Sequence, residues 1–185
     1  MIGTVTARWQ SWFGQSTEHL VLREGPGEIV AEAVVLGGDG DDIFAACYRI
    51  ECDKRWCVRK VEFRQIGRDH EIELSSDGAG NWRDGSGIPL PALNGAIDID
   101  ISITPFTNTL PIRRLNLQSG QSAEILAVYI QLPDPVITTD RQRYTCLQAG
   151  IRYRYQSVDS DFTRDIEVDG HGLVLTYPGL FRRKS

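Results

Sequence analysis

From Ile97 to Thr104 the chain alternates without a break, with Ile97, Ile99, Ile101 and Ile103 on one side and Asp98, Asp100, Ser102 and Thr104 on the other. Successive side chains of a strand point to opposite faces, so a period of two makes this a β-strand with one apolar and one acidic face. Thr104-Pro105 ends the pairing, and Asn108-Thr109 can start a short helical turn. Arg113 and Arg114 then return positive charge close by. Two carboxylates and two guanidiniums make this the densest polar constellation in the chain.

The same period recurs elsewhere. Over Glu28–Leu36 it places Ile29, Ala31, Ala33 and Val35 on one face. Further strands are predicted over Ile43–Cys52, Trp56–Ile66, Glu71–Leu74, Glu124–Leu132, Arg141–Gln156, Phe162–Val168 and Leu173–Tyr177. Turn signals separate them: Gly25-Pro26-Gly27, the glycine- and aspartate-rich run Gly37–Asp42, and Asp77–Asn81. Gly85–Pro91 holds two prolines and two glycines and cannot be a central strand. Arg182–Lys184 reads as a solvated basic tail. No window sustains a helical period, no repeat of 20–50 residues is present, and no shift in composition marks a boundary. Residues 1–185 therefore read as one all-β domain of ten or more short strands, a pattern that suits a sheet closing on itself.

Bulk properties exclude several classes. The net charge of −5 over 185 residues gives no general attraction to nucleic acid or anionic lipid, so no nucleic-acid partner is expected. The N-terminus has no apolar core of a signal peptide, and no apolar run approaches 18 residues; the expectation is a cytoplasmic protein without a transmembrane segment. Cys47, Cys52, Cys57 and Cys146 include no CxxC pair, which argues against zinc and for reduced, buried thiols. His19, His70 and His171 have no metal or triad spacing, so no metal, cofactor or catalytic set is expected. Seventeen arginines stand against three lysines. Arginine's fork suits carboxylate and phosphate, although genomic base composition produces the same bias.

Two readings of Asp98 and Asp100 stay open. They lie about 7 Å apart along one strand face. As a site, they are acid–base groups or acceptors for sugar hydroxyls. As structure, they pair with Arg113 and Arg114 or cap the turn at Thr107-Asn108. Four tryptophans offer stacking surfaces for sugar or lipid, and the mouth of a rolled sheet is a natural place for such a cavity. In Asp53-x-x-Trp56-x-x-Arg59, a strand starting at Trp56 would put Trp56 and Arg59 on opposite faces.

Asp98-Ile99-Asp100 followed by TPFTNTLPIRRL (Thr104–Leu115) resembles the signature of a bacterial family named for glycolipid binding. Further along the chain the likeness takes in Trp9 with Glu18-His19-Leu20, Tyr48-Arg49-Ile50, Asp53-x-x-Trp56-x-x-Arg59 and Gly80-x-Trp82. It continues through Gln142-x-Tyr144, Tyr153, Phe162, Val168-Asp169, Gly172-Leu173-Val174 and Tyr177–Phe181. The resemblance implies one large antiparallel sheet wound into a spiral β-roll or half-open barrel with little helix, similar to bacterial lipoprotein carriers, although their export signal is missing here. It implies no established reaction. The expectation is a non-enzymatic protein that takes an amphipathic ligand, a glycolipid or other lipid, in the concave face. The expected ligand-binding residues are Trp9, His19, Tyr48, Trp56, Arg59, Trp82, Asp98, Asp100, Arg113 and Arg114. Two rivals are kept: a hydrolase of sugar or lipid conjugates using Asp98/Asp100 or Glu18/His19, and an interaction module that pairs with another chain or with a second copy of itself.

Overall fold

The computed structural model describes residues 3–38 and 43–184, so Asp39–Asp42 of the expected glycine-rich turn lie outside it. Its strands are β1 (Gly3–Ser11), β2 (Thr17–Glu24), β3 (Glu28–Gly37), β4 (Phe44–Asp53), β5 (Val58–Gln65), β6 (Glu71–Ser76) and β7 (Trp82–Asp84). These are followed by β8 (Asp98–Ile101), β9 (Ser122–Gln131), β10 (Val136–Gln148), β11 (Arg152–Ser157), β12 (Thr163–Val168), β13 (Val174–Tyr177) and β14 (Phe181–Arg183). Helical structure among the described residues is slight: two 3-10 turns, Pro91–Leu93 and Phe106–Asn108, and one short helix, α1 (Thr109–Leu115). None is long and apolar enough to cross a membrane.

All fourteen strands form one sheet, in the order β7-β6-β5-β4-β3-β2-β1-β14-β13-β12-β11-β10-β9-β8, not closed into a barrel. Two meanders, β1–β7 and β8–β14, are joined where the first strand meets the last: Trp9 opposite Arg183, Gln10 opposite Arg182, Ser11 opposite Phe181. The basic tail is therefore a strand. Arg183 lies over the Trp9 ring at 4.9 Å and pairs with Asp169 at 3.1 Å. One neighbour pair departs from the antiparallel rule: β8 runs parallel to β9, Asp98 opposite Ala127 and Ile101 opposite Ile130. The intervening segment carries a 3-10 turn and α1, the kind of crossover a parallel pair requires.

Several expected boundaries move for local reasons. Trp56 does not begin a strand. It sits at φ 65° in a turn where Oδ1 of Asp53 accepts the Arg55 and Cys57 N–H groups, and β5 starts at Val58. The Arg141–Gln156 run is two strands, with a turn at Gly150 (φ 71°) between β10 and β11. The buried face shifts phase across that turn, from Gln142, Tyr144 and Cys146 to Tyr153 and Tyr155. Residues 3–24, which show no clear alternation on their own, are β1 and β2.

The sheet curls so that both of its ends share one core. Trp9, Leu20, Ile50, Phe63 and Leu74 from β1–β6 pack in the same cluster as Ile99 and Ile101 of β8 and Leu110 of α1. A second cluster joins Ile112 of α1 to Tyr144, Tyr153, Tyr155, Ile166, Val168 and Tyr177. The link from β7 to β8 is pinned by Trp82, whose indole N–H donates to the Ala96 carbonyl at 2.7 Å. At the same place Gly80 (φ 97°) needs to lack a side chain, since a Cβ there would lie 2.9 Å from Cα of Gly95.

Candidate functional site

β8, the last strand in the order of the sheet, divides its two aspartates. Asp98 is fully buried and closed by Arg114, whose Nε and Nη2 donate to its two oxygens at 3.0 and 2.5 Å. That bidentate pair fastens α1 across β8. Asp100, two residues on, stands at the wall of a cleft of about 430 Å³. Its Oδ1 accepts from the Thr107 hydroxyl at 3.1 Å, and that hydroxyl oxygen in turn accepts the Ile101 N–H at 3.3 Å. Its Oδ2 accepts from Nε2 of the buried Gln142 at 2.7 Å.

Gln142 is the organiser of this cleft. The same Nε2 donates at 3.0 Å to Oδ2 of Asp140, so one amide holds two carboxylates side by side. Burial pushes the Asp100 carboxyl above the ordinary carboxylate range, opposed by the hydrogen bonds from Gln142 and Thr107 and reinforced by the charge of Asp140. The Tyr155 hydroxyl reaches toward the same Asp140 oxygen at 3.4 Å.

Aromatic rings form the facing wall. Tyr155, Phe162, Tyr177 and Phe181 line the cleft and touch in sequence, with ring centroids 5.9 Å apart for Tyr155–Phe162, 6.4 Å for Phe162–Tyr177 and 6.5 Å for Tyr177–Phe181. Tyr144 backs them at 5.5 Å from Tyr155, and its hydroxyl donates to Asn108 of the TPFTN segment at 2.9 Å. Asn108, Thr104 and Tyr129 also line the cleft. Carboxylates beside aromatic faces suit a sugar, whose hydroxyls are donors and whose C–H faces are apolar.

Behind the cleft lies a second polar cluster. Glu18 is buried; its Oε1 accepts from Tyr48 at 2.5 Å and from Thr104 at 2.8 Å, while Oε2 has no partner. Burial pushes its pKa up to about 7 against those two hydrogen bonds. His19, the next residue, points to the opposite face of β2, where its Nδ1 accepts from Arg8 at 3.3 Å.

A larger groove of about 950 Å³ lies on the outer face of β2–β6. Val21, Val34, Leu90 and Ile137 give it apolar sides. Ion pairs stand among these side chains, Glu32 with Arg23 and Arg49, and Glu62 with Lys60 and Arg49. The smaller cleft instead brings carboxylates and aromatic rings together, the better match to a sugar.

Of the residues expected to bind ligand, only Asp100 lines the cleft, and His19 and Tyr48 border the groove. Trp9 is buried with its N–H on the Val174 carbonyl at 2.7 Å, and Trp82 is buried against Ala96. Trp56 is buried beneath the Arg113 guanidinium at 4.5 Å, and Arg113 also pairs with Glu24 at 3.1 Å. Arg59 donates to the Asp77 carbonyl. The sequence reading did not reach Asp140, Gln142 and the Tyr155–Phe181 wall as a site. The available signal was the pairing of Gln142-x-Tyr144 with alternate aromatics on the following strands.

The comparisons agree with this architecture. A crystal structure at 1.80 Å resolution of a DUF1089 family protein (PA1994) from Pseudomonas aeruginosa is similar with a TM-score of 0.82 and 38% identity, over 93% of this chain and 94% of that one. None of the curated proteins matches. The family model described as "Putative glycolipid-binding" matches residues 6–183, and the chain belongs to that family.

Proposed function

We propose that the protein binds a glycolipid without transforming it, taking the sugar headgroup in the Asp100–Asp140 cleft. The observation that carries this reading is the single Gln142 amide holding two carboxylates against a wall of tyrosine and phenylalanine. Each carboxylate keeps lone pairs for sugar hydroxyls, and the rings supply stacking area. Family membership supports the ligand class.

Calorimetric titration with methyl glycosides and with a glycosylated diacylglycerol in detergent tests it. Binding in the micromolar-to-millimolar range is expected, roughly −4 to −8 kcal/mol. Asp140→Asn should weaken it at least tenfold. Absence of heat with every glycoside, or an unchanged affinity in Asp140→Asn, would sink the proposal.

A second reading, glycoside hydrolysis, has one observation in its favour: burial and Asp140 raise Asp100, as a general acid beside a partner carboxylate requires. Asp98 is sealed by Arg114, and Glu18 and His19 face opposite ways, so neither takes part in this version. Turnover of aryl glycosides that disappears in Asp100→Asn would favour hydrolysis over simple binding.

A further inference from the structure

This inference rests on the headgroup reading of the cleft and concerns where the rest of the lipid goes. The cleft, at about 430 Å³, has room for a sugar headgroup. The cores are packed among the described residues: Trp9, Leu20, Leu22, Ile50, Ile101, Leu110 and Ile166 are all fully buried in their clusters. The outer groove mixes ion pairs with apolar side chains. A glycolipid held by its sugar in the cleft would leave its chains outside the packed cores.

One side of the cleft is apolar. Leu180 and Phe181 belong to the cleft lining. The tip of the β1–β2 hairpin is fastened to them: Ser11 pairs with Phe181, and the Trp12 N–H donates to the Leu180 carbonyl at 2.7 Å. From that anchor the tip projects outward. Trp12 is half-buried, Phe13 is 78% exposed, the most exposed large apolar side chain among the described residues, and Leu180 is 39% exposed. Gly14 at φ 90° turns the chain back behind them. An amphipathic ring beside a fully projecting one is the composition of a membrane-interface anchor.

Charge selects the kind of surface. Arg164 and Arg182 flank Leu180 on β12 and β14, while Asp159 and Asp161 stand on the β11–β12 turn beside Phe162. With mixed signs at the rim and −5 overall, attraction to an anionic membrane is not the driver. We propose that the Trp12–Phe13 tip, together with Leu180, inserts into the interfacial layer of a zwitterionic bilayer and seats the cleft over the headgroup of a glycolipid that stays in the membrane.

Co-sedimentation with phosphatidylcholine vesicles, with and without a glycosylated diacylglycerol, tests this beside titration with chain-free methyl glycosides. Trp9, Trp56 and Trp82 are buried, so a vesicle-induced blue shift in tryptophan emission reports Trp12. The wild type should partition onto vesicles. Phe13→Asp should lose at least tenfold in partitioning with its glycoside affinity intact, and Phe13→Trp should restore membrane binding. Equal partitioning of wild type and Phe13→Asp, or none by the wild type, overturns the docking proposal, and the glycoside titration then judges the cleft alone. Partitioning through the tip with no glycoside bound by the wild type supports the docking and removes the headgroup reading.

Discussion

Glu18 shows how much one side chain can ask of its surroundings. Its carboxyl has two donors on one oxygen and none on the other, and Ser11 leaves a second unpartnered buried oxygen beside the same small void. The pKa rises from 4.5 to about 7 on folding, so between those values the folded state binds the extra proton. Stability from this group is fully present below pH 4.5 and is lost as pH climbs through 7, a change on the order of 3 kcal/mol. Glu18→Gln should flatten that slope and melt higher than the wild type at pH 8; a parallel pair of melting curves across pH 5–8 would refute this. Burial raises Asp98 as well, but Arg114 opposes that rise by pairing with the carboxylate charge. Arg114→Ala leaves that charge buried alone and should cost about 3–5 kcal/mol in urea unfolding, much of it recovered when Asp98→Asn is added. Alternation placed both aspartates on one face. Which would be sealed and which would meet a cleft depended on Arg114 and Gln142, 16 and 42 residues away in sequence, and no local pattern carries that information.

Among elements, those with an unbroken apolar stripe were legible and those with a polar interruption were not. β3 reads plainly because Ile29, Ala31, Ala33 and Val35 share a face. β2 hides because its buried face carries Glu18 in line with Leu20 and Leu22. β14 hides because Arg182 points to solvent and Arg183 spends its charge on Asp169 and the Trp9 ring. Without β14, both β1 and β13 become open edges, which invite pairing with other chains. Truncation after Leu180 should therefore abolish cooperative melting and produce aggregation visible by light scattering. α1 stands between the two cores, Leu110 in one and Ile112 in the other. Leu110→Ala should lower stability by about 2–5 kcal/mol through the cavity it leaves.

At the scale of the molecule, the join between β1 and β14 is the most non-local pairing of the sheet, with Trp9 opposite Arg183 and its indole N–H reaching Val174 of β13 across 165 residues. Closing such contacts late makes sheets of this kind fold in roughly milliseconds to seconds. A circular permutant that links the termini and opens the chain at the Gly67–Asp69 turn makes that join local. It should fold faster in stopped-flow while keeping the native melting behaviour; slower folding would show that the join forms early. Alternation and turn residues alone determined an all-β chain with a strand over Asp98–Ile101, because strand period and turn chemistry act between near neighbours. Only the tertiary structure decided that the two ends of the chain share a ladder, that β8 runs parallel to β9, and that Asp100, Asp140 and four aromatic rings enclose one cleft. Those outcomes depend on which distant strands the curling sheet brings together, and side-chain partnership across such distances is set by packing of the whole.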